Sequence, residues 1–538
     1  MMKRFFLNYR LAVLLMLVFL LGSCKKFLVE EPVNSTFAGA YWKSSGDLRS
    51  AMAGNYALVR DVMNSGNWNP SPRYFMYGDA IAKNYFTIQY NGDGLEGIQD
   101  GDFTFQYNVE NFGDWTKYYK AITMSNIIIN RVPKVADDLL TDVTNPTKFK
   151  NEMLGEAYFL RAFTYFMMLR VWGDVPLVTE EYDDPISAPE LARSTKKEVM
   201  AQIEKDALLA HELLPWQYSL VGNAKVTANK GAVNALLAHF YLWKATMSDV
   251  NSNQPDLETI DKADKAIDEI LNNGMYSLTD TSNYYKTFEG LSSEGIFEIA
   301  MSENTREGTN QHIANMFLRT AQLATTGTNS RCYVNADYLT NHFYKIDQVW
   351  DWYWNTSLQQ WEWKAMPSQV FDDSDIRCRR NFTDLNSDKA TCIKYQNVVY
   401  RNPSQKQDPY VSNNLIVFRL ADMRLLKAEI ALYRNQVSKA IDIINEFRKR
   451  NGADESAFVD NTSSKDDVMY EYIIERGKEL YLEGHIFYDL LRTRQYSNFV
   501  PWLSESRFRQ EGFYWPINPA LFKNNNKLTQ TSYWRGKV

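Results

Sequence analysis

Three groups of aromatic residues sit among amides and acids at spacings that could hold a hydroxyl-rich ligand. Trp68 lies between Asn67 and Asn69; Tyr85 and Tyr90, with Tyr74 upstream, are interleaved with Asn84, Gln89 and Asn91. Trp350, Trp352 and Trp354 alternate with Asp351 and Tyr353, and Trp361 and Trp363 alternate just after Gln359 and Gln360. The chemistry open to such groups is non-covalent. An aromatic face receives the C–H face of a saturated ring, while nearby amides and carboxylates bond its hydroxyls. The expected ligand-binding residues are therefore Trp68, Tyr74, Tyr85, Tyr90, Trp350, Trp352, Trp354 and Trp361. The competing reading of each ring is that it packs inside, as large aromatics usually do.

Covalent chemistry finds no comparable arrangement. His211, His239, His312, His342 and His485 are the only histidines, and none stands in H-E-x-x-H. There is no G-x-S-x-G elbow and no phosphate loop. The 65 Asp and Glu residues leave a glycosidase-type carboxylate pair open by number, but no motif singles one out. The run Asp384-Leu385-Asn386-Ser387-Asp388 begins like a calcium loop, yet Lys389 stands where Gly is needed and Tyr395 where Glu is needed. No catalytic residue, metal ligand or cofactor is expected. A formal net charge of −6 without a concentrated basic face argues against a nucleic-acid partner.

Helices must position these rings. Glu156 to Arg170 is apolar nearly all round, so it should lie buried on most sides, and Arg161 within it requires a buried partner. Thr195 with Glu198 forms a capping box that opens a helix with Val199, Ile203, Ala207, Ala210 and Leu214 on one face. Lys230 to Ala245 predicts a second buried helix, followed by Ala263, Ala266, Ile267, Ile270 and Leu271 at helical spacing, with Gly274 as a left-handed C-cap. The same two-part pattern returns at Arg419 to Arg434 and Ser438 to Arg450, closed by Asn451-Gly452, and a last long helix is predicted from Asp466 to Arg492. Pairs of this kind look like degenerate tetratricopeptide repeats. Helical periodicity fades over 64–112 and 277–415, where the aromatic groups lie, and the alternating tryptophans predict a hairpin with its rings on one side. The predicted fold class is all-α, with an irregular aromatic-rich lobe containing minor β-hairpins.

The first residues decide the compartment. Lys3, Arg4 and Arg10 precede an eleven-residue apolar run, Leu11 to Leu21, long enough for export and too short to span a bilayer. Leu21-Gly22-Ser23-Cys24 resembles a bacterial lipobox. Residues 1–23 are expected to be a lipoprotein signal peptide, with the mature chain, 24–538, anchored to a membrane by lipid on Cys24. Cys332, Cys378 and Cys392 then remain, an odd number that permits at most one internal disulfide.

The order of several short motifs is similar to that of the SusD/RagB family of outer-membrane lipoproteins. These are Phe27-Leu28, Tyr41-Trp42, Gly54-Asn55-Tyr56, Trp115 to Arg131, Leu160-Arg161-Ala162, and Gly173-Asp174-Val175-Pro176-Leu177. Asp375-Ile376-Arg377, Arg419-Leu420-Ala421-Asp422, Glu475-Arg476, Glu483-Gly484-His485 and Trp515-Pro516-Ile517 continue the series. Ile376, Ile486 and Asn518 depart from the family pattern. The resemblance implies one unit over 24–538: a helical-repeat scaffold with a lobe that carries the ligand surface. It also implies a non-enzymatic role at the outer membrane, facing the cell exterior. There the protein would capture oligosaccharides, or peptides in some members, and deliver them to a SusC-like TonB-dependent transporter. The rival reading is a helical scaffold that binds no nutrient. The motif charges Arg419, Asp422, Glu475, Arg476, Glu483 and Asp489 suit salt bridges between helices rather than ligand contacts.

Overall fold

The computed structural model describes residues 41–64, 72–182, 189–218, 225–301, 303, 312–319 and 330–538. Cys24, the signal segment and Trp68 lie outside the described residues. Small side chains and long apolar faces stack the helices in chain order. Helix α1 (Ser45–Asn64) packs on α2 (Thr116–Arg131), α2 on α3 (Pro146–Trp172), and α3 on α4 (Lys196–Leu213). The series runs on through α5 (Lys230–Met247), α6 (Leu257–Asn273), α7 (Leu420–Tyr433), α8 (Val437–Arg450) and α9 (Lys465–Glu479). This is the repeat-like stacking that the sequence predicts, and the molecule is predominantly helical with small sheets. Helix α3 is 27 residues long. From Phe159 to Trp172 every side chain on it is buried.

Caps end these helices where the sequence places them. The Thr195–Glu198 capping box is formed at α4, and Gly274 closes α6 at φ 75°. Asn229 starts α5: its Oδ1 accepts from Ala232 N at 2.9 Å while its Nδ2 donates to Trp216 O at 3.2 Å. Asn229 is 3% exposed. Alanine there loses the cap and leaves buried helix-end groups unpaired. We expect Asn229→Ala to cost about 1–2 kcal/mol, read as a lower urea midpoint with an unchanged slope.

The buried arginine of α3 has the partner its position demands. Arg161 forms a two-pronged pair with Asp206 of α4, Nε to Oδ2 and Nη2 to Oδ1, both 2.7 Å, and also donates to Asn126 of α2. One charged group thus locks three successive helices in register.

The final helix differs from the prediction. Instead of running unbroken to Arg492, α9 stops at Glu479, and α10 (Ile486–Arg492) begins after a turn. Leu482 and Gly484 take left-handed backbone angles in that turn, and Gly484 N donates to Asp79 Oδ2 at 2.7 Å. A Cβ on Gly484 would stand 2.1 Å from the Tyr74 ring. The break admits the segment around Tyr74 into the scaffold.

The lobe holds the strands. Strands β1 (Phe86–Ile88), β3 (Cys332–Asn335), β7 (Lys389–Cys392) and β6 (Phe382–Thr383) form one sheet in the order β1-β3-β7-β6. Strand β2 (Gly295–Ile299) pairs with β10 (Leu415–Arg419), β4 (Tyr344–Asn355) with β5 (Gln360–Phe371), and β8 (Val398–Asn402) with β9 (Gln407–Val411). Cys332, Cys378 and Cys392 are buried free thiols.

Candidate functional site

Alternation in the sequence becomes a two-faced hairpin. Strands β4 and β5 pair antiparallel over twelve registers, from Tyr344↔Phe371 to Asn355↔Gln360. Side chains alternate across a strand, so one face carries Trp350, Trp352 and Trp354 beside Trp361 and Trp363. Trp352 lies opposite Trp363 and Trp354 opposite Trp361, each pair with ring centroids 5.4 Å apart and planes inclined by 59° and 62°. Trp350 faces Ala365 and has no aromatic partner across the ribbon. All five rings are exposed, from 42% for Trp354 to 61% for Trp361. A patch of this kind on a soluble surface marks an interaction site.

Among the described residues, the hairpin is tied to the body at its base. Ile346 N donates to Ser456 Oγ at 2.9 Å, Gln369 Nε2 to Thr340 O at 2.8 Å, and the Tyr344 hydroxyl to Glu471 of α9 at 3.2 Å. The tryptophans therefore project from a fixed root.

Tyr90 is exposed away from the hairpin. It is 81% exposed, on a loop that Arg331, just before β3, holds by donating to Gln89 O and Asp93. Phe105 and Tyr107, centroids 5.8 Å apart, are exposed beside it; Phe105 lies against Gly94 of the same loop. Sequence reasoning missed these two rings, although they too stand two apart. Asn108 Nδ2 donates to Gly94 O at 2.8 Å and completes the brace.

Tyr74 and Tyr85 are corrected. Both are buried, and neither can offer a ring to a ligand. Tyr74 fills the notch at Gly484, and Tyr85 packs against Tyr338 and His342 at 5.3 and 5.2 Å, over Gly477. Polar neighbours made them look like surface rings. Glycines 390 to 410 residues further along the chain make room for them, a signal too remote to pair by eye.

The motif charges build a buried ion network instead of a binding site. Arg377 pairs with Asp375, Glu475 and Glu479; Arg419 pairs with Glu294, Glu479 and Glu483; Lys394 pairs with Glu483. Burial alone would raise the Glu479 carboxyl, but Arg419 and Arg377 outweigh it and hold it down at about 2. Arg377, Lys394 and Arg419 come from the lobe, and Glu475 and Glu479 from α9. The network thus rivets the lobe to the scaffold.

Among the described residues, His239, Asp422 and His485 come close enough for a metal, their donor atoms within 4.8 Å of one another. His239 Nε2 already meets Asp422 Oδ2 at 2.6 Å, and Arg476 donates to Oδ1 of the same carboxylate. Burial lowers His485 to about 4. A cation there would face the Arg476 guanidinium, so the group is a buried ion pair rather than a metal centre.

Two family models match adjoining parts of the chain: one described as "Starch-binding associating with outer membrane" over residues 48–242, and the SusD family model over 293–534. A SusD-like protein of Formosa agariphila is 24% identical over 544 residues, covering 95% of each chain. The fold matches a SusD homolog from Bacteroides thetaiotaomicron with a TM-score of 0.72 at 23% identity, over 91% of this chain and 98% of that one. It also matches a SusD-like carbohydrate binding protein from Bacteroides vulgatus, with a TM-score of 0.59 at 19% identity, over 84% and 83%.

Proposed function

The chain belongs to the SusD/RagB family, and on that premise we propose that it is a lipid-anchored protein of the outer membrane that captures oligosaccharides at the cell surface. SusD-like proteins are binding proteins, not enzymes, and the family is associated with the outer membrane. The observation that carries the reading is the face of five tryptophans on β4 and β5, held away from the body on a braced root. Rings displayed in this way bind by stacking and need no covalent step. The exposed rings of Tyr90, Phe105 and Tyr107 supply a further platform. Acylation at Cys24 would fix the protein to the membrane, and a SusC-like TonB-dependent transporter would receive the ligand and supply the energy for uptake. Residues 24–538 would act as one unit, with α-helical repeats as the frame for both platforms.

The test is a titration of the full-length lipoprotein in detergent against a panel of polysaccharides and a peptide pool. Saturable binding to a polysaccharide is expected, with quenching or enhancement of tryptophan fluorescence. Binding confined to peptides would replace the glycan by a peptide ligand. Isolation of the protein from outer membranes with a co-purifying TonB-dependent transporter tests the partnership.

A further inference from the structure

The hairpin carries more information than its exposure, because its two faces differ in charge. The tryptophan face consists of Tyr344, Ile346, Gln348, Trp350, Trp352 and Trp354 on β4, with Trp361, Trp363, Ala365, Pro367, Gln369 and Phe371 opposite them on β5. No acid or base stands on it. Lys345, Asp347, Asp351, Glu362 and Lys364 all lie on the opposite face, where Asp351 is directly across from Lys364. An anionic sugar chain needs arginine or lysine beside its carboxylates or sulfates, and this face offers none.

Shape narrows the ligand further. Same-face residues on a strand are about 6.8 Å apart, so three rows of rings make a run about 14 Å long. The rows succeed one another along the paired strands and turn only with the twist of the ribbon. A coiled chain would touch such a run once per turn, whereas an extended chain lies along all of it. Two of the three rows are ring pairs in contact, one tilted and one edge-to-face, so little ring freedom is lost when a ligand stacks on them. A third strand is disfavoured as the occupant. Pro367 lacks an N–H, and both strands carry charged residues, Lys345, Asp347 and Asp351 on β4 and Glu362 and Lys364 on β5.

Resting on the glycan-capture reading above, we infer that the hairpin face selects a neutral polysaccharide in an extended, ribbon-like conformation. Acidic glycans and coiled α-glucans are excluded from it. Gln348 and Gln369, both exposed on this face, supply the hydroxyl contacts at the root end.

The experiment titrates the full-length lipoprotein with three soluble polymers: a β-1,4-linked galactomannan, a polygalacturonate and amylose. The expected result is binding to the galactomannan alone. Trp350→Ala leaves both cross-strand couples in place and is expected to weaken binding about tenfold. Combined replacement of Trp352, Trp354, Trp361 and Trp363 by alanine is expected to abolish binding at the hairpin, with the thermal midpoint of the body unchanged. Asp351→Asn with Lys364→Gln, on the opposite face, is expected to leave affinity as it was. Preference for polygalacturonate or amylose would overturn this inference and leave glycan capture standing. So would galactomannan binding that ignores the tryptophan variants, or a dimer that those variants dissolve. Failure to bind any of the three, or any other polysaccharide of the panel, would overturn glycan capture itself.

Discussion

Replacing Arg419 by alanine is expected to remove about 3–5 kcal/mol of stability at pH 7, out of the roughly 5–15 kcal/mol that holds a domain folded. Arg419 ends β10 and is 1% exposed. Its guanidinium meets Glu294 at 2.6 Å, Glu479 and Glu483 at 2.7 Å, and the Glu479 carbonyl at 2.6 Å. Alanine would leave three buried carboxylates sharing the cations that remain, and Glu294 would keep only a backbone N–H from Thr279. The loss comes from stranded charge more than from missing attraction, which fixes its pH dependence. In the parent, Glu479 holds its proton only below about 2, while an unfolded glutamate titrates near 4.3, so its contribution is present above about pH 4.3 and is lost as pH falls toward 2. In the variant that depression shrinks to what Arg377 still supplies, and the gap between the two proteins should narrow as the medium is acidified. Urea midpoints at pH 7 and pH 3 measure both effects. The exposed pair Arg424–Glu446 serves as the control, since Arg424→Ala should change stability by no more than about 0.5 kcal/mol. Equal midpoints for the two variants would refute the riveting role of the network.

Glu156 presents the opposite case: a buried acid with no cationic partner among the described residues. It is 4% exposed on α3, and the Tyr56 hydroxyl donates to its Oε2 at 2.8 Å. Burial raises the carboxyl to about 8, helped by nearby Glu152 and partly countered by the Tyr56 bond. The folded protein then keeps a proton that the unfolded chain releases near pH 4.3. Stability is full below pH 4.3 and falls as pH rises, until the folded group ionises at about 8. Over that window the cost is of order 1.4 kcal/mol per pH unit, about 3–4 kcal/mol at pH 7. Glutamine keeps the acceptor oxygen without the charge. Glu156→Gln is therefore expected to raise the thermal midpoint by several degrees at pH 7–8 and to leave it unchanged at pH 4. Midpoints that differ by the same amount at every pH would show that the carboxyl is not held neutral in the folded state.

These two effects lie in the scaffold and at its seam with the lobe, whereas the expected ligand contacts lie on rings that add little to the core. That separation lets the tryptophans of β4 and β5 be replaced without unfolding the helices. It also explains the heavy use of buried charge at the seam between lobe and scaffold. A platform loaded from outside has to be held by something that does not slide, and ion pairs with fixed geometry resist sliding better than apolar contacts do.

Sequence alone determined most of the frame. The period of the apolar residues, the Thr195–Glu198 box, Gly274 and the buried Arg161 each state a local requirement, and each is met where it stands. The alternation of Trp350 to Trp363 likewise set a hairpin with its rings on one side, because strand geometry needs no distant partner to put every second residue on the same face. Tertiary structure alone decided which rings reach solvent. Tyr85 and Tyr90 have the same kinds of neighbours in the chain, yet one is sealed against Tyr338 and His342 while the other is 81% exposed. The break between α9 and α10 was equally hidden, since it admits Tyr74 and Asp79 from the far end of the chain. Local periodicity is a property of a dozen residues, but burial depends on what packs from hundreds of residues away.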